Sequence, residues 1–161
     1  MICFEIPNWR DMFSLLGGKR EDVYDTPDKD YGLEDEPHVT LLWGIHDDKH
    51  SLDDVKYYLP SLEDMSAILI GVSHFDGEEY DVLKIGVDAP RYHDVNADLT
   101  KNLECTNTFP TYTPHLTVAY LKKGMGGIYT EANKNKMMQT VIAPSKYKYG
   151  YANGKNEFFT I

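Results

Sequence analysis

Residues 36–44 read EPHVTLLWG, and residues 113–121 read TPHLTVAYL. The shared wording is Pro-His-aliphatic-Thr-aliphatic, and each copy opens an apolar run that reads as a buried strand. Successive side chains of a strand take opposite faces, so His38 and Thr40 share one face while Val39, Leu41 and Trp43 take the other. His115 and Thr117 repeat this, with Leu116, Val118 and Tyr120 opposite. The parity puts Trp43 in the core rather than at a stacking surface. Pro37 and Pro114 stiffen the approach to each strand and keep the preceding residue extended. An ordinary strand with a satisfied histidine accounts for one copy. Two copies with the same proline and the same parity, one in each half of the chain, call for a shared site.

The neighbouring segments set the fold class. MICFEI at the start reads as a strand, and Asn8 is placed to cap a helix carrying Trp9, Met12, Phe13 and Leu16, ended by Gly17 and Gly18. Residues 19–36 are polar and acidic with Pro27 and Gly32, too long for an ordinary connection, and read as a mobile loop or a functional flap. The first motif strand is expected over 38–45. SLDD from Ser51 is a capping box for a helix with Val55, Tyr58 and Leu59 that ends at Pro60. Runs at 67–75 and 80–87 joined by DGEE predict an antiparallel hairpin. A helix over 92–103 carries Tyr92, Val95, Leu99 and Leu103 on one stripe, the second motif strand covers 115–121, and a weak helix is expected over 130–140. The last segment predicts a hairpin turned at Asn153-Gly154. Helices interleaved with hairpins give α+β: one domain over 1–161, with two pseudo-symmetric lobes of mostly antiparallel sheet and flanking helices around a central cleft.

Composition narrows the function. A chain of 161 residues is long enough to bury a packed core. Sixteen Lys and Arg against 26 Asp and Glu leave a net charge of −10, which repels long polyanions but admits a small phosphorylated ligand in a locally positive pocket. Cys3 and Cys105 form no zinc-like or disulfide pattern, and the opening residues lack the features of a signal peptide, so a reduced, cytoplasmic setting is expected. No apolar run approaches the ~20 residues of a membrane helix. Nothing in the sequence sets an oligomeric state.

Two imidazoles and two hydroxyls around one cleft suit phosphoryl transfer. A neutral imidazole takes a proton from the attacking oxygen, a protonated one supplies the leaving oxygen, and the threonines donate to the non-bridging oxygens. A zinc site would need further ligands at matching intervals, and none are present, so no metal or other cofactor is expected. His46, His50, His74 and His93 have no Thr two residues on and read as solvated, in loops or at element ends.

PHVTLLWGI and PHLTVAYL resemble the paired His-x-Thr motifs of the two-histidine (2H) phosphoesterase superfamily, and the element order agrees over most of the chain. The resemblance implies that His38, Thr40, His115 and Thr117 are the catalytic tetrad of a metal-independent reaction on a phosphodiester. The wording YGLEDEPHVTLLWGI and FPTYTPHLTVAYLKKG is most similar to bacteriophage members, a group that includes anti-CBASS nucleases acting on cyclic di- and trinucleotide immune signals. That implies a small cyclic oligonucleotide as substrate in an infected host cytoplasm. From the residues alone, Tyr112, Phe4, Lys122 and Lys123 are the candidates for substrate binding. Two other readings stand beside this one: a 2′,3′-cyclic phosphodiesterase or 2′-5′ RNA ligase-like enzyme acting on RNA ends or nucleotide cyclic phosphates, and a non-catalytic nucleotide-binding module.

Overall fold

The alternating run before Gly77 and the run after it form the two longest strands, β3 (Ala67–Asp76) and β4 (Tyr80–Asp88). Gly77 passes so close to the Tyr80 carbonyl that a Cβ would collide with it, which is why this tight turn carries glycine. The computed structural model describes residues 1–27, 31–107, 109 and 111–161. In chain order the remaining elements are β1 (Ile2–Phe4), α1 (Met12–Leu15), β2 (His38–Val39), α2 (Leu52–Tyr57), α3 (Pro90–Asn102), β5 (His115–Lys122), α4 (Met125–Asn133), β6 (Thr140–Ile142), β7 (Pro144–Gly150) and β8 (Asn156–Phe159). Two four-stranded antiparallel sheets result, ordered β2-β1-β7-β8 and β5-β4-β3-β6. Each motif strand lies at an edge. The protein is thus α+β with two antiparallel sheets and few helices.

The helices bury the stripes that the sequence predicts. Ser51 caps α2, its hydroxyl accepting from the Asp54 N–H at 3.2 Å while the Asp54 carboxylate accepts from the Ser51 N–H at 2.7 Å, and Val55 points inward. Tyr92, Val95 and Leu99 of α3 pack with Leu83 and Ile85 of β4, Leu116 and Val118 of β5 and Tyr147 of β7 in one core. Each such side chain contributes about 1.5–3 kcal/mol by leaving water. Gly154 helps turn the β7–β8 hairpin with a φ of 85°, but Asn153 stays out of the left-handed region and the loop spans residues 151–155 rather than the Asn-Gly pair alone. Among the described residues, no helix is long and apolar enough to cross a membrane.

Several expectations are corrected. Asn8 adopts the left-handed conformation and makes no side-chain cap; a 3-10 turn (Trp9–Asp11) leads into α1 instead, with Trp9, Phe13 and Leu16 buried as predicted. The helix expected over 130–140 lies earlier, because the buried Asp81 carboxylate accepts from the Gly124 and Gly126 N–H groups at 2.9 and 2.8 Å and fixes the start of α4. Residues 140–142 pair with β3. The described part of 19–36 is laid along the outer edge of β5: the Tyr24 and Glu34 N–H groups donate to the Tyr120 and Val118 carbonyls, and the Tyr120 N–H donates to the Gly32 carbonyl. The rest of that segment, 28–30, lies outside the described residues.

The first motif strand is two residues long rather than eight. Past Val39 the carbonyls that would continue the ladder are taken by side chains, Thr40 O by the Tyr112 hydroxyl at 3.1 Å and Leu41 O by the Asn96 amide at 2.6 Å. Gly44 then turns with a φ of 73° against the Thr106 backbone. Parity therefore ends before Trp43, whose indole is 60% exposed and not in the core.

Candidate active site

The two motifs share one backbone construction. β2 pairs with β1 so that His38 lies opposite Cys3, and β5 pairs with β4 so that His115 lies opposite Gly86. One residue further along the inner strand, Phe4 N–H donates to Pro37 O at 2.9 Å and Val87 N–H to Pro114 O at 3.1 Å. The prolines have no N–H of their own, so each offers only a carbonyl to the ladder. The edge strands β2 and β5 pack side by side, and the His38 ring is near enough to His115 to bear on its charge. All four side chains are half-buried.

Both imidazoles are also anchored alike. His38 Nδ1 lies 2.9 Å from Glu36 O and His115 Nδ1 lies 2.7 Å from Thr113 O, each a carbonyl two residues upstream. A carbonyl only accepts, so Nδ1 carries the proton and Nε2 is the basic nitrogen of each neutral ring. Burial holds His115 below the ordinary imidazole value; its bond to Thr113 opposes this, while the Lys84 ammonium and the His38 ring add to it.

The charged surroundings of the two histidines differ. On the second sheet Lys84 lies opposite Thr117 on one side and Ser73 on the other, so it shares their face. Its ammonium donates to Ser73 Oγ at 2.8 Å and stands 4.3 Å from the centre of the Phe75 ring. That ring meets His115 edge-on, with centres 5.0 Å apart. On the first sheet Cys3 lies opposite both His38 and Lys146. Burial pushes the Cys3 thiol up to about 11, which keeps it neutral and a poor nucleophile. Lys146 and Lys148 reach the Glu36 carboxylate at 3.4 and 2.8 Å and stand over the Phe158 ring. Burial works to raise the Glu36 carboxyl, but the two lysines outweigh it and hold the group below the usual carboxylate range.

The candidate binding residues fall in other places. Tyr112 packs its ring against His93, and its hydroxyl is bonded to Thr40 O, which makes it a strut from the approach to β5 across to β2. Phe4 is only 4% exposed and belongs to the core, leaving almost no surface for a ligand. Lys122 and Lys123 lie seven or more residues along from His115, roughly 20 Å at strand spacing, and Lys123 is paired with Asp81 at 3.3 Å. Lys122 and Lys123 thus stand away from the histidine pair, and Phe4, though beside His38 in the backbone, turns its side chain into the core. The four other histidines are engaged rather than merely solvated. His46 bonds Thr106 Oγ1, His50 accepts from the Glu104 N–H, His93 meets Tyr112, and His74 bonds Thr130 Oγ1 from within β3.

Lys84, Ser73, Phe75, Glu36 and Lys148 went unnoticed in the sequence. The available signal was the lone lysine inside the apolar run YDVLKIGV, together with the hairpin register that sets it beside Thr117. A cavity of about 380 Å³ lies on the helix-covered side of the first sheet, lined by Leu41, Trp43, Val55 and Tyr149 and by neither motif histidine. Among the described residues no group of three or more His, Cys, Asp or Glu is arranged to hold a metal ion. Compared with family models and with curated proteins, the chain matches none.

Proposed function

We propose that the protein is a metal-independent phosphodiesterase that opens small cyclic oligonucleotides, with His38 and His115 as the proton-transfer pair and Thr40 and Thr117 on the phosphate. The observation that carries this reading is the duplicated construction: two Pro-His-x-Thr edges packed together, each with Nδ1 tied to its own backbone. Such tethering fixes each ring in one tautomer, leaving Nε2 for the reacting groups. The depressed His115 stays neutral near pH 7 and suits the base, and His38 takes the role of acid.

In the proposed reaction His115 Nε2 accepts the proton of a ribose 2′-hydroxyl as that oxygen attacks phosphorus. The bond from phosphorus to the 5′ oxygen breaks, and His38 Nε2–H protonates the departing oxygen. The ring opens to a linear product with a 2′,3′-cyclic phosphate at one end and a 5′-hydroxyl at the other. Thr40 and Thr117 donate to the non-bridging oxygens where charge gathers. Phe75, 40% exposed beside His115, and Phe158, 50% exposed beside the first-sheet lysines, offer one aromatic face per sheet. Stacking is worth ~1–3 kcal/mol per base, so two faces favour a ligand with two bases over a mononucleotide. The net charge of −10 disfavours a long strand.

The test is incubation with cyclic dinucleotides, cyclic trinucleotides, 2′-5′ oligoadenylate and 2′,3′-cyclic mononucleotides in EDTA, with products weighed by mass spectrometry. Ring opening of the cyclic di- or trinucleotides is expected. Opening of 2′,3′-cyclic mononucleotides alone moves the reading to RNA ends, and loss of all turnover in EDTA removes the metal-free mechanism.

A further inference from the structure

Asp81, Lys84 and Asn133 are the buried polar or charged side chains among the described residues. Two of them have work in the fold. Asp81 receives two N–H groups at the start of α4 and the Lys123 ammonium, and the Asn133 amide donates to the Leu16 and Tyr129 carbonyls. Lys84 has no comparable task. It is 6% exposed, and among the described residues no carboxylate pairs with it, although the chain has ten more acids than bases. An ammonium carries three N–H donors, and Ser73 Oγ takes one. Burying a cation without an anion is costly, and a leucine there would simply continue the apolar run of β4.

The place of Lys84 gives the cost a use. It shares a face with Thr117 across one ladder and with Ser73 across the other, and the Phe75 ring touches both its ammonium and the His115 ring. On the first sheet Lys146 and Lys148 already have Glu36, so the second sheet carries the cation without a carboxylate. We propose that Lys84, with Ser73 and Thr117, forms an anion subsite on the second sheet that takes a non-bridging phosphate oxygen of the substrate. This rests on the phosphodiester reading for the identity of the anion. Burial presses the Lys84 ammonium below its ordinary value, and an anion arriving in the subsite relieves that pressure.

The probe is inorganic phosphate, added at pH 7 to the full chain while calorimetry and the His38 and His115 ring resonances follow binding. Saturable binding that moves both rings is expected. Lys84→Met should weaken it tenfold or more, Lys84→Arg should stay within a few fold of the parent, and Lys122→Met, at the far end of β5, should leave it unchanged. Phosphate affinity in Lys84→Met equal to the parent's overturns the subsite, as does an equal loss in Lys122→Met. A readout that needs no variant is the Lys84 side-chain carbon resonance in the parent protein, which should shift as phosphate is added; a resonance that stays put also overturns the proposal. None of these measurements needs turnover. A protein that binds phosphate through Lys84 yet opens no phosphodiester keeps the subsite and loses the catalytic reading. One that opens cyclic dinucleotides with the same kcat and KM after Lys84→Met keeps the reaction and loses the subsite.

Discussion

On the first sheet the lysines nearest the motif histidine, Lys146 and Lys148, close on the Glu36 carboxylate. On the second sheet the nearest lysine, Lys84, closes on the Ser73 hydroxyl. Backbone and ring anchoring are the same in both, down to the proline carbonyl and the Nδ1 tie. The difference shows that a duplicated unit carries unlike charge beside like imidazoles, which the proposed acid–base reaction calls for. Symmetry of the backbone delivers two imidazoles in the same tautomer, and an acid–base pair needs them in opposite protonation states. Position 36 carries a carboxylate where the second copy has Thr113, so the charged groups beside the two motifs differ.

The sharpest way to break the comparison is to remove one imidazole. His38→Ala and His115→Ala should each lower turnover by ~10²–10⁴ with the circular dichroism spectrum intact, and the double variant should lose far less than the product. Full activity in either single variant would end the assignment of paired roles.

The hydroxyls test whether Lys84 assists only one side. Thr40→Val should cost ~10²–10³ in kcat, the loss typical of one donor to a developing oxyanion. Thr117→Val should cost less, because Lys84 remains opposite that position. Equal losses, measured at saturating substrate, would mean that the two sides handle the phosphate alike.

A smaller effect lies in the pH profile. The base must be neutral, so the acidic limb of kcat/KM is set by His115 and should fall below the ordinary imidazole value of ~6.5. Lys84→Met removes a positive neighbour, makes protonation of His115 easier and should move that limb upward. Burial, the larger cause, is untouched, so the limb should not return all the way. A limb that stays or moves down would separate Lys84 from His115.

The least costly change sharpens the comparison by making the sheets alike. Glu36→Gln frees Lys146 and Lys148, and because partly exposed ion pairs contribute only ~0–1 kcal/mol, the melting temperature should shift little. Calorimetry should show phosphate binding several-fold tighter. Unchanged affinity would mean that Glu36 does not screen the first-sheet lysines.

The parts of this arrangement that were legible in the sequence obey short-range rules. The β3–β4 hairpin, α3 and β5 follow period and turn chemistry, and the Ser51 cap follows from four residues. His-x-Thr parity gives the shared face of His115 and Thr117, but it fails at Trp43, beyond the two-residue β2, and at Tyr120, which a register shift in the β4–β5 ladder returns to the Thr117 face. The strand stops through contacts from residues 96 and 112, and no local pattern around residue 40 announces them. Lys84 was hidden for a related reason: its neighbours are Thr117 and Ser73, and only cross-strand register reveals them. Lys122 and Lys123 follow the second motif closely along the chain, which in an extended strand means distance.

The origin of the strands bears on the order in which the molecule assembles. The second sheet is drawn from residues 67–142, whereas the first joins residues 2–4 and 38–39 to a hairpin at 144–159. Contacts that are close in sequence form with little loss of chain freedom, and those across 140 residues form late. On a ribosome the sheet with His115 has all its strands some residues before β1 meets β7. The nascent chain therefore holds half of its histidine pair in place first, and amides of β3 and β4 should gain protection from hydrogen exchange ahead of those of β1 and β7.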